Sequence, residues 1–132
     1  MAVVSAEGLP VAVMTASAQP HESQLLEATL ASRHIDEMPE RVIADRAYDS
    51  DPLDERLRQQ GVELIAPHRR GRKAASTQDG RSLRRYRRRW KVERFFAWLG
   101  NWRRTTIRWD RHWENFQGWI QLASLIILSS RL

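Results

Sequence analysis

Short apolar runs alternate with stretches of helical period through the first half of the chain, and that alternation narrows the fold more than any other feature. "MAVVSA" and "PVAVMTASA" are small-apolar and β-branched runs separated by "EGLP", whose Gly8 and Pro10 are turn residues. "PHESQLLEATLASRHI" places Leu25, Leu26, Leu30 and Ala31 at helical spacing, with Pro20 and Glu22 suited to a helix start. "ERVIADRAY" reads as a strand that turns polar at its C-terminal end. "DSDPLDERLRQQG" reads as a short helix with Pro52 early and Gly61 as its stop, and "VELIAPH" as a further strand. Residues 69–82, "RRGRKAASTQDGRS", lack an apolar period and predict a mobile basic loop within the domain. Helices are expected from Leu83 to about Asn101 and from about Trp113 to the C-terminus. This order predicts an α/β domain, a partly parallel mixed sheet covered by helices. Ligand chemistry in such sheets gathers at the carboxyl ends of the strands.

Charge is sorted along the same axis. Residues 1–68 carry five Arg against twelve acids, a balance of −7, whereas residues 69–132 carry seventeen Lys or Arg against four acids, a balance of +13. Of the 22 cations in the chain, 20 are arginine, the residue whose planar fork matches phosphate. A basic half of this density meets a polyanion most simply, and nucleic acid is the usual one. A surface tuned only for solubility would intersperse the signs. At 132 residues the chain is one domain's worth. It has no cysteine, which excludes a disulfide framework and thiolate metal sites and predicts a cytoplasmic location. "MAVVSAEGLP" lacks the features of a signal peptide. "WIQLASLIILSS" is shorter than the ~20 apolar residues of a spanning helix and reads as a buried C-terminal helix.

Two carboxylates stand out by position. Asp45 closes the strand "RVIAD", which suits either an acid held rigidly at a reaction centre or a helix cap, and the two readings carry equal weight. For Asp49 and Asp51, just before the next helix, the cap or turn reading is the better one. Glu93 sits inside "YRRRWKVERFFAWLGNWRR", where Tyr86, Arg89 and Glu93 share one helical face and Val92, Phe96 and Leu99 supply the buried stripe. The plain alternative for Glu93 is an i,i+4 salt bridge with Arg89, worth a few tenths of a kcal/mol.

These blocks, in this order, resemble the DDE transposases of bacterial insertion sequences, whose catalytic domain has the ribonuclease H-like fold. "GLPVAVMTASAQPHES" looks like the family's strand-turn-strand and the helix start after it, and "VIADRAYDSDPLDERLRQQGVELIAPHRRGRK" resembles its second-aspartate segment. "YRRRWKVERFFAWLGNWRR" is similar to its Tyr-x2-Arg-x3-Glu signature, filled by Tyr86, Arg89 and Glu93. The resemblance implies a site of three acids binding two divalent ions, Mg2+ or Mn2+, for phosphodiester cleavage and strand transfer. Asp45 would be the second acid and Glu93 the third, both metal ligands. Tyr86, Arg89, Arg84, Arg85, Arg87, Arg88, Arg103 and Arg104 would meet the phosphates of transposon-end and target DNA. The family's lysine seven residues after the glutamate is replaced by Gly100, so that its role is either absent or moved to Arg103 or Arg104.

No residue fills the place of the family's first aspartate, since Glu7 falls in a turn between strands. The chain is therefore expected to be a C-terminal portion that lacks the first strand, incomplete alone and completed by an upstream segment. A homodimer is a further expectation, and no membrane contact is expected. The competing function is a non-catalytic, DNA-binding truncated product that docks on transposon ends and interferes with the intact enzyme. Six tryptophans crowd residues 90–119. Trp90 and Trp98 are expected in the core. Trp102, Trp109 and Trp113 could stack on bases, although packing roles are favoured. The four histidines lack metal-ligand spacing.

Overall fold

A hairpin forms at the N-terminus, and both of its faces are covered. The computed structural model describes residues 1–132 apart from positions 18, 74, 78, 79 and 132. Strands β1 (Ala2–Val4) and β2 (Pro10–Val13) pair antiparallel, Ala2 opposite Val13 and Val3 opposite Ala12, with a register shift after Val3. The turn between them passes through Gly8 at φ +88°, a left-handed conformation that glycine adopts without steric cost. Alternation then sends Ala2, Val4 and Val13 to one side and Val3 to the other. β2 is shorter than its apolar run suggests. The Gln117 side-chain amide donates to the Val13 carbonyl at 2.9 Å and accepts from the Thr15 N–H at 2.6 Å, which closes the strand's end.

Helix α1 (Glu22–Ala31) begins as expected, capped by His21, whose Nδ1 accepts from the Ser23 N–H. Strand β3 (Arg41–Ile43) runs parallel to β4 (Glu63–Ile65), joined by helix α2 (Asp51–Gln59), which stops before Gly61 at φ +79°. Leu26 and Leu30 of α1, Leu53 and Leu57 of α2, Val42 of β3 and Val62 form one core, and Val3 packs against it. The second core holds Val13 with Phe95, Leu99, Ile120, Ala123 and Ile127. It lies between the other face of the hairpin and helices α4 (Trp90–Leu99) and α6 (Trp113–Ser129). The architecture is α/β. Its strands, however, form two separate pairs, β1–β2 and β3–β4, and not the single mixed sheet anticipated from the sequence.

The second half departs from expectation in four places. The expected helix from Leu83 is split into α3 (Gly80–Leu83), a 3-10 segment Arg84–Arg89 and α4. An α-helix draws most of its stability from a buried apolar stripe, and "RRYRRR" has none. Like charges at i,i+4 oppose it further. Next, the buried aromatic of α4 is Phe95, fully buried, whereas Phe96 is 48% exposed. The stripes Val92/Phe96/Leu99 and Val92/Phe95/Leu99 both fit a helical period, so spacing alone does not choose between them. The choice falls to Lys91 and Arg94, which donate to the hairpin-turn carbonyls of Ala6 and Glu7 and so rotate Phe95 inward. Further on, α6 buries Ile120, Ala123, Ser124 and Ile127 but leaves Trp119, Leu122, Leu125 and Ile126 exposed, so only one of its faces is core. Lastly, a short helix α5 (Arg103–Thr106), absent from the sequence reading, precedes it.

Among the described residues no helix is long and apolar enough to cross a membrane. The expected basic loop extends over residues 74, 78 and 79, which lie outside the described residues. It gives way to α3 at Gly80.

The Phe95 assignment is directly testable. Phe95→Ala should cost about 3–5 kcal/mol of unfolding free energy, the range for emptying a core aromatic site. Phe96→Ala, at a half-exposed ring that touches Phe95, should cost only about 1 kcal/mol. Urea denaturation of the two variants ranks them, and a larger loss at Phe96 would refute the packing described.

Candidate active site and nucleic-acid interface

Asp45 lies two residues beyond β3, where the strand's last side chains give way to a 3-10 turn, Arg46–Tyr48. Its Oδ1 caps that turn by accepting from the Ala47 N–H at 2.8 Å. The cap occupies one oxygen and leaves the other free to face a partner. Oδ2 lies 3.6 Å from Nη1 of Arg89. Burial pushes the neighbouring Tyr48 phenol up to about 12, with the Glu22 and Asp45 carboxylates adding to the shift, so it stays protonated.

The 3-10 winding sorts the arginines. With three residues per turn, i and i+3 eclipse. Leu83, Tyr86 and Arg89 therefore fall on one partly buried row, and Arg84, Arg85, Arg87 and Arg88 are all exposed on the other two. The segment packs beside β3. Within the inner row the Arg89 guanidinium sits over the Tyr86 ring, 5.7 Å from its centroid. Its second nitrogen, Nη2, donates to Glu93 Oε1 at 3.1 Å. Glu93 lies on the face of α4 turned away from Phe95 and is 61% exposed.

One guanidinium thus reaches both Asp45 and Glu93, one nitrogen to each. The structure brings four expected site residues together: Asp45, Tyr86, Arg89 and Glu93. The two acids come from separate elements, a strand end and a helix. Among the described residues no cluster of three or more His, Cys, Asp or Glu could hold a metal ion. The remaining candidates lie elsewhere. Arg104 is drawn to α6, 3.8 Å from Asp110 and stacked over Trp119, while Arg103 is exposed on α5. Gly100 follows Glu93 at helical φ −60°.

Trp98 packs against the second core as anticipated, but Trp90 is half exposed. Trp90 is held by Arg94, which is sandwiched between the two rings at 5.0 and 4.9 Å from their centroids. Trp102, Trp109 and Trp113 are exposed too, contrary to the favoured packing roles.

The chain matches the family model described as the transposase DDE domain over residues 1–128. It is also 33% identical over 133 residues to a protein of Burkholderia cepacia named as a transposase for insertion sequence element IS402. That match covers 95% of this chain and 59% of the relative, so the chain spans under two thirds of the relative's length. No solved structure matches the chain.

A second cluster escaped the sequence reading. Asp49, with a side chain only 3% exposed, accepts from His68 Nδ1 at 2.8 Å, from the Arg69 N–H at 2.7 Å and from Arg72 Nη1 at 3.0 Å. Arg72 also grips Asp51 at 2.6 and 2.8 Å. Asp49 is therefore no helix cap: it ties the exit of β4 and the start of the basic loop to α2. The signal was the Asp-rich "DSD" opposite "HRRGR", but only the parallel β3–β4 pairing brings the two stretches together. Burial works against ionisation of Asp49, yet the Arg69 amide, His68 and Arg72 outweigh it and hold its pKa below the usual range. A depressed folded pKa means that this contribution is complete above about pH 4 and is lost as pH falls through the lower folded value. Asp49→Asn should cost about 2–3 kcal/mol at pH 7, because it strands its cations. The gap to the unsubstituted chain should narrow by pH 3. Urea titrations at the two pH values check both points, and an equal gap at both would sink the assignment.

Proposed function

The chain belongs to the DDE transposase family, and from that premise we propose that it is the C-terminal portion of a ribonuclease H-like catalytic domain for DNA transposition. It supplies two of the three acids, Asp45 and Glu93, within one incomplete domain. The observation that carries this reading is the convergence of both carboxylates on a single guanidinium, which marks one point where positive charge is needed. Hard carboxylate oxygens suit Mg2+ or Mn2+, and Mg2+ is usually bound through one or two carboxylates plus substrate phosphates. Asp45 and Glu93 fit one such ion. When bound, divalent ions would activate the attacking oxygen and neutralise charge on the leaving oxygen of an in-line displacement.

The chain's own residues do the positioning. The outward rows of Arg84, Arg85, Arg87 and Arg88, and separately Arg103, exposed on α5, present bidentate donors to DNA phosphates. Tyr86 and Arg89 sit between those rows and the acids, so a phosphate held there lies next to Asp45 and Glu93. Among the described residues both sheets have two strands, and Val3 of β1 and Val42 of β3 border one core. That arrangement supports an upstream strand, ending in the missing aspartate, that adds between β1 and β3. Such a segment, transposon-end and target DNA, and a second copy of the chain are the partners of this reading, with a cytoplasmic setting.

The absence of a third ligand among the described residues favours a second reading for the chain by itself, a DNA-binding product that occupies transposon ends without cutting them. Alone, the 132-residue chain should bind duplex DNA and fail to nick it with Mg2+ or Mn2+. Binding should weaken with salt by about 0.9 in log–log slope per phosphate contact, and alanine at Arg84, Arg85, Arg87 and Arg88 should flatten that slope. Supplying an upstream segment that carries the strand and its aspartate should restore nicking, and Glu93→Ala should then abolish it with little effect on binding. Robust cleavage by the chain alone would overturn the truncation, and reconstituted cleavage that survives Glu93→Ala would overturn the catalytic assignment.

A further inference from the structure

Arg89 stands where the proposed reading requires a divalent ion. We propose that it is an exchangeable counter-ion: in the DNA-free protein it holds Asp45 and Glu93 together, and DNA phosphate draws it away and frees their oxygens. This rests on the reading of Asp45 and Glu93 as metal ligands and adds to it a regulation, a positive coupling between DNA and metal binding.

The geometry sets the terms of the exchange. Asp45 Oδ1 is held by the Ala47 amide, so Oδ2, the oxygen facing Arg89, is the one available to a ligand. Glu93 offers Oε1 to the same guanidinium. A guanidinium and a divalent ion cannot both occupy the space between these two oxygens. Neither contact is hard to break. Asp45 is 36% exposed, Arg89 37% and Glu93 more, and solvent-exposed ion pairs are worth ~0–1 kcal/mol each.

Arg89 also has somewhere to go. It rests on the Tyr86 ring, at the border of the exposed rows of Arg84, Arg85, Arg87 and Arg88 where phosphate would arrive. A phosphate there offers the fork a charged bidentate partner in place of two separate carboxylates. An ion that needs the vacated oxygens binds with an affinity reduced by the fraction of time Arg89 is absent, and DNA raises that fraction. By linkage the effect is reciprocal, so metal must tighten DNA binding by the same factor.

The test uses the full 132-residue chain and Mn2+, followed by electron paramagnetic resonance with and without a short duplex. Glu93→Gln supplies the background of ions held by DNA itself. Without DNA, Arg89→Gln should raise Mn2+ affinity about fivefold or more, the lower end of ordinary coupling. Arg88→Gln, which loses the same charge without losing a bridge, should change it far less. Duplex should tighten Mn2+ binding to the unsubstituted chain by a larger factor than in Arg89→Gln, where only the added phosphate ligands remain to act, and an equal factor in the two would overturn the exchange. Arg89→Lys, which keeps the charge on a shorter, unforked side chain, should fall between the two.

Equal gains in Arg88→Gln and Arg89→Gln would reduce the effect to net charge and overturn the exchange. Mn2+ binding that depends on Glu93 but is indifferent to duplex would overturn it as well, while leaving the two-acid site standing. Mn2+ binding no different from that of Glu93→Gln in every variant would overturn the site itself.

Discussion

A hairpin with strands of three and four residues is covered on both faces, and the rest of the molecule is arranged around that requirement. Two short strands do not hold together alone in water. Val3 finds its cover in the α1, α2 and β3 core, and Ala2, Val4 and Val13 find theirs against α4 and α6. Full burial of one large apolar side chain is worth about 1.5–3 kcal/mol, more than an exposed ion pair. Apolar cover therefore decides that α4 lies on the hairpin. It does not decide which way α4 is rotated, because Phe95 and Phe96 are equivalent on that count. Lys91 and Arg94 settle the rotation with charged hydrogen bonds to the turn carbonyls of Ala6 and Glu7. Glu93 faces away from the hairpin as a consequence, and that turn of the helix puts it within reach of the residue that faces Asp45.

The arginine-rich segment solves a separate problem. Five arginines in six positions cannot share an α-helical surface without like charges at i,i+4, and there is no apolar stripe to repay them. Winding as a 3-10 helix sends four of them outward in two rows and keeps Tyr86 and Arg89 on the third. The segment can therefore be a polyanion-binding surface and a wall of the acid site at once. Where the apolar sequence resumes at Trp90, the α-helix resumes with it.

The parts of the structure legible in the sequence are those governed by local rules. Turn glycines, the Glu22 helix start, the strand before Asp45 and the Gly61 stop all follow from nearby residues, and each appears close to its expected place. The grouping of Tyr86, Arg89 and Glu93 was legible too, because spacings of three and four juxtapose side chains in either kind of helix. What escaped depends on contacts between residues far apart in the chain. Gln117 shortens β2 from 104 residues away, and Arg94 meets the Glu7 carbonyl across 87. The gathering of His68, Arg69 and Arg72 on Asp49 needs the β3–β4 register, which no local pattern encodes.

Asp45 and Asp49 show how a structural acid differs from one available for chemistry. They bracket the same 3-10 turn, yet their surroundings are opposite. Asp49 spends both oxygens, Oδ1 on His68 and Arg72 and Oδ2 on the Arg69 amide, and water is excluded from it. Nothing further can bind there without breaking the tie between β4, the basic loop and α2. Asp45 spends one oxygen on a cap that fixes its direction and leaves the other partly in solvent, opposed among the described residues by a guanidinium at 3.6 Å. A carboxylate that acts on a ligand needs both properties, an oxygen anchored for aim and an oxygen unspent for binding. Both aspartates lie in the acidic half of the chain, so charge does not separate them, and its strand-end position still leaves Asp45 with two readings of equal weight. The number of oxygens left over separates them.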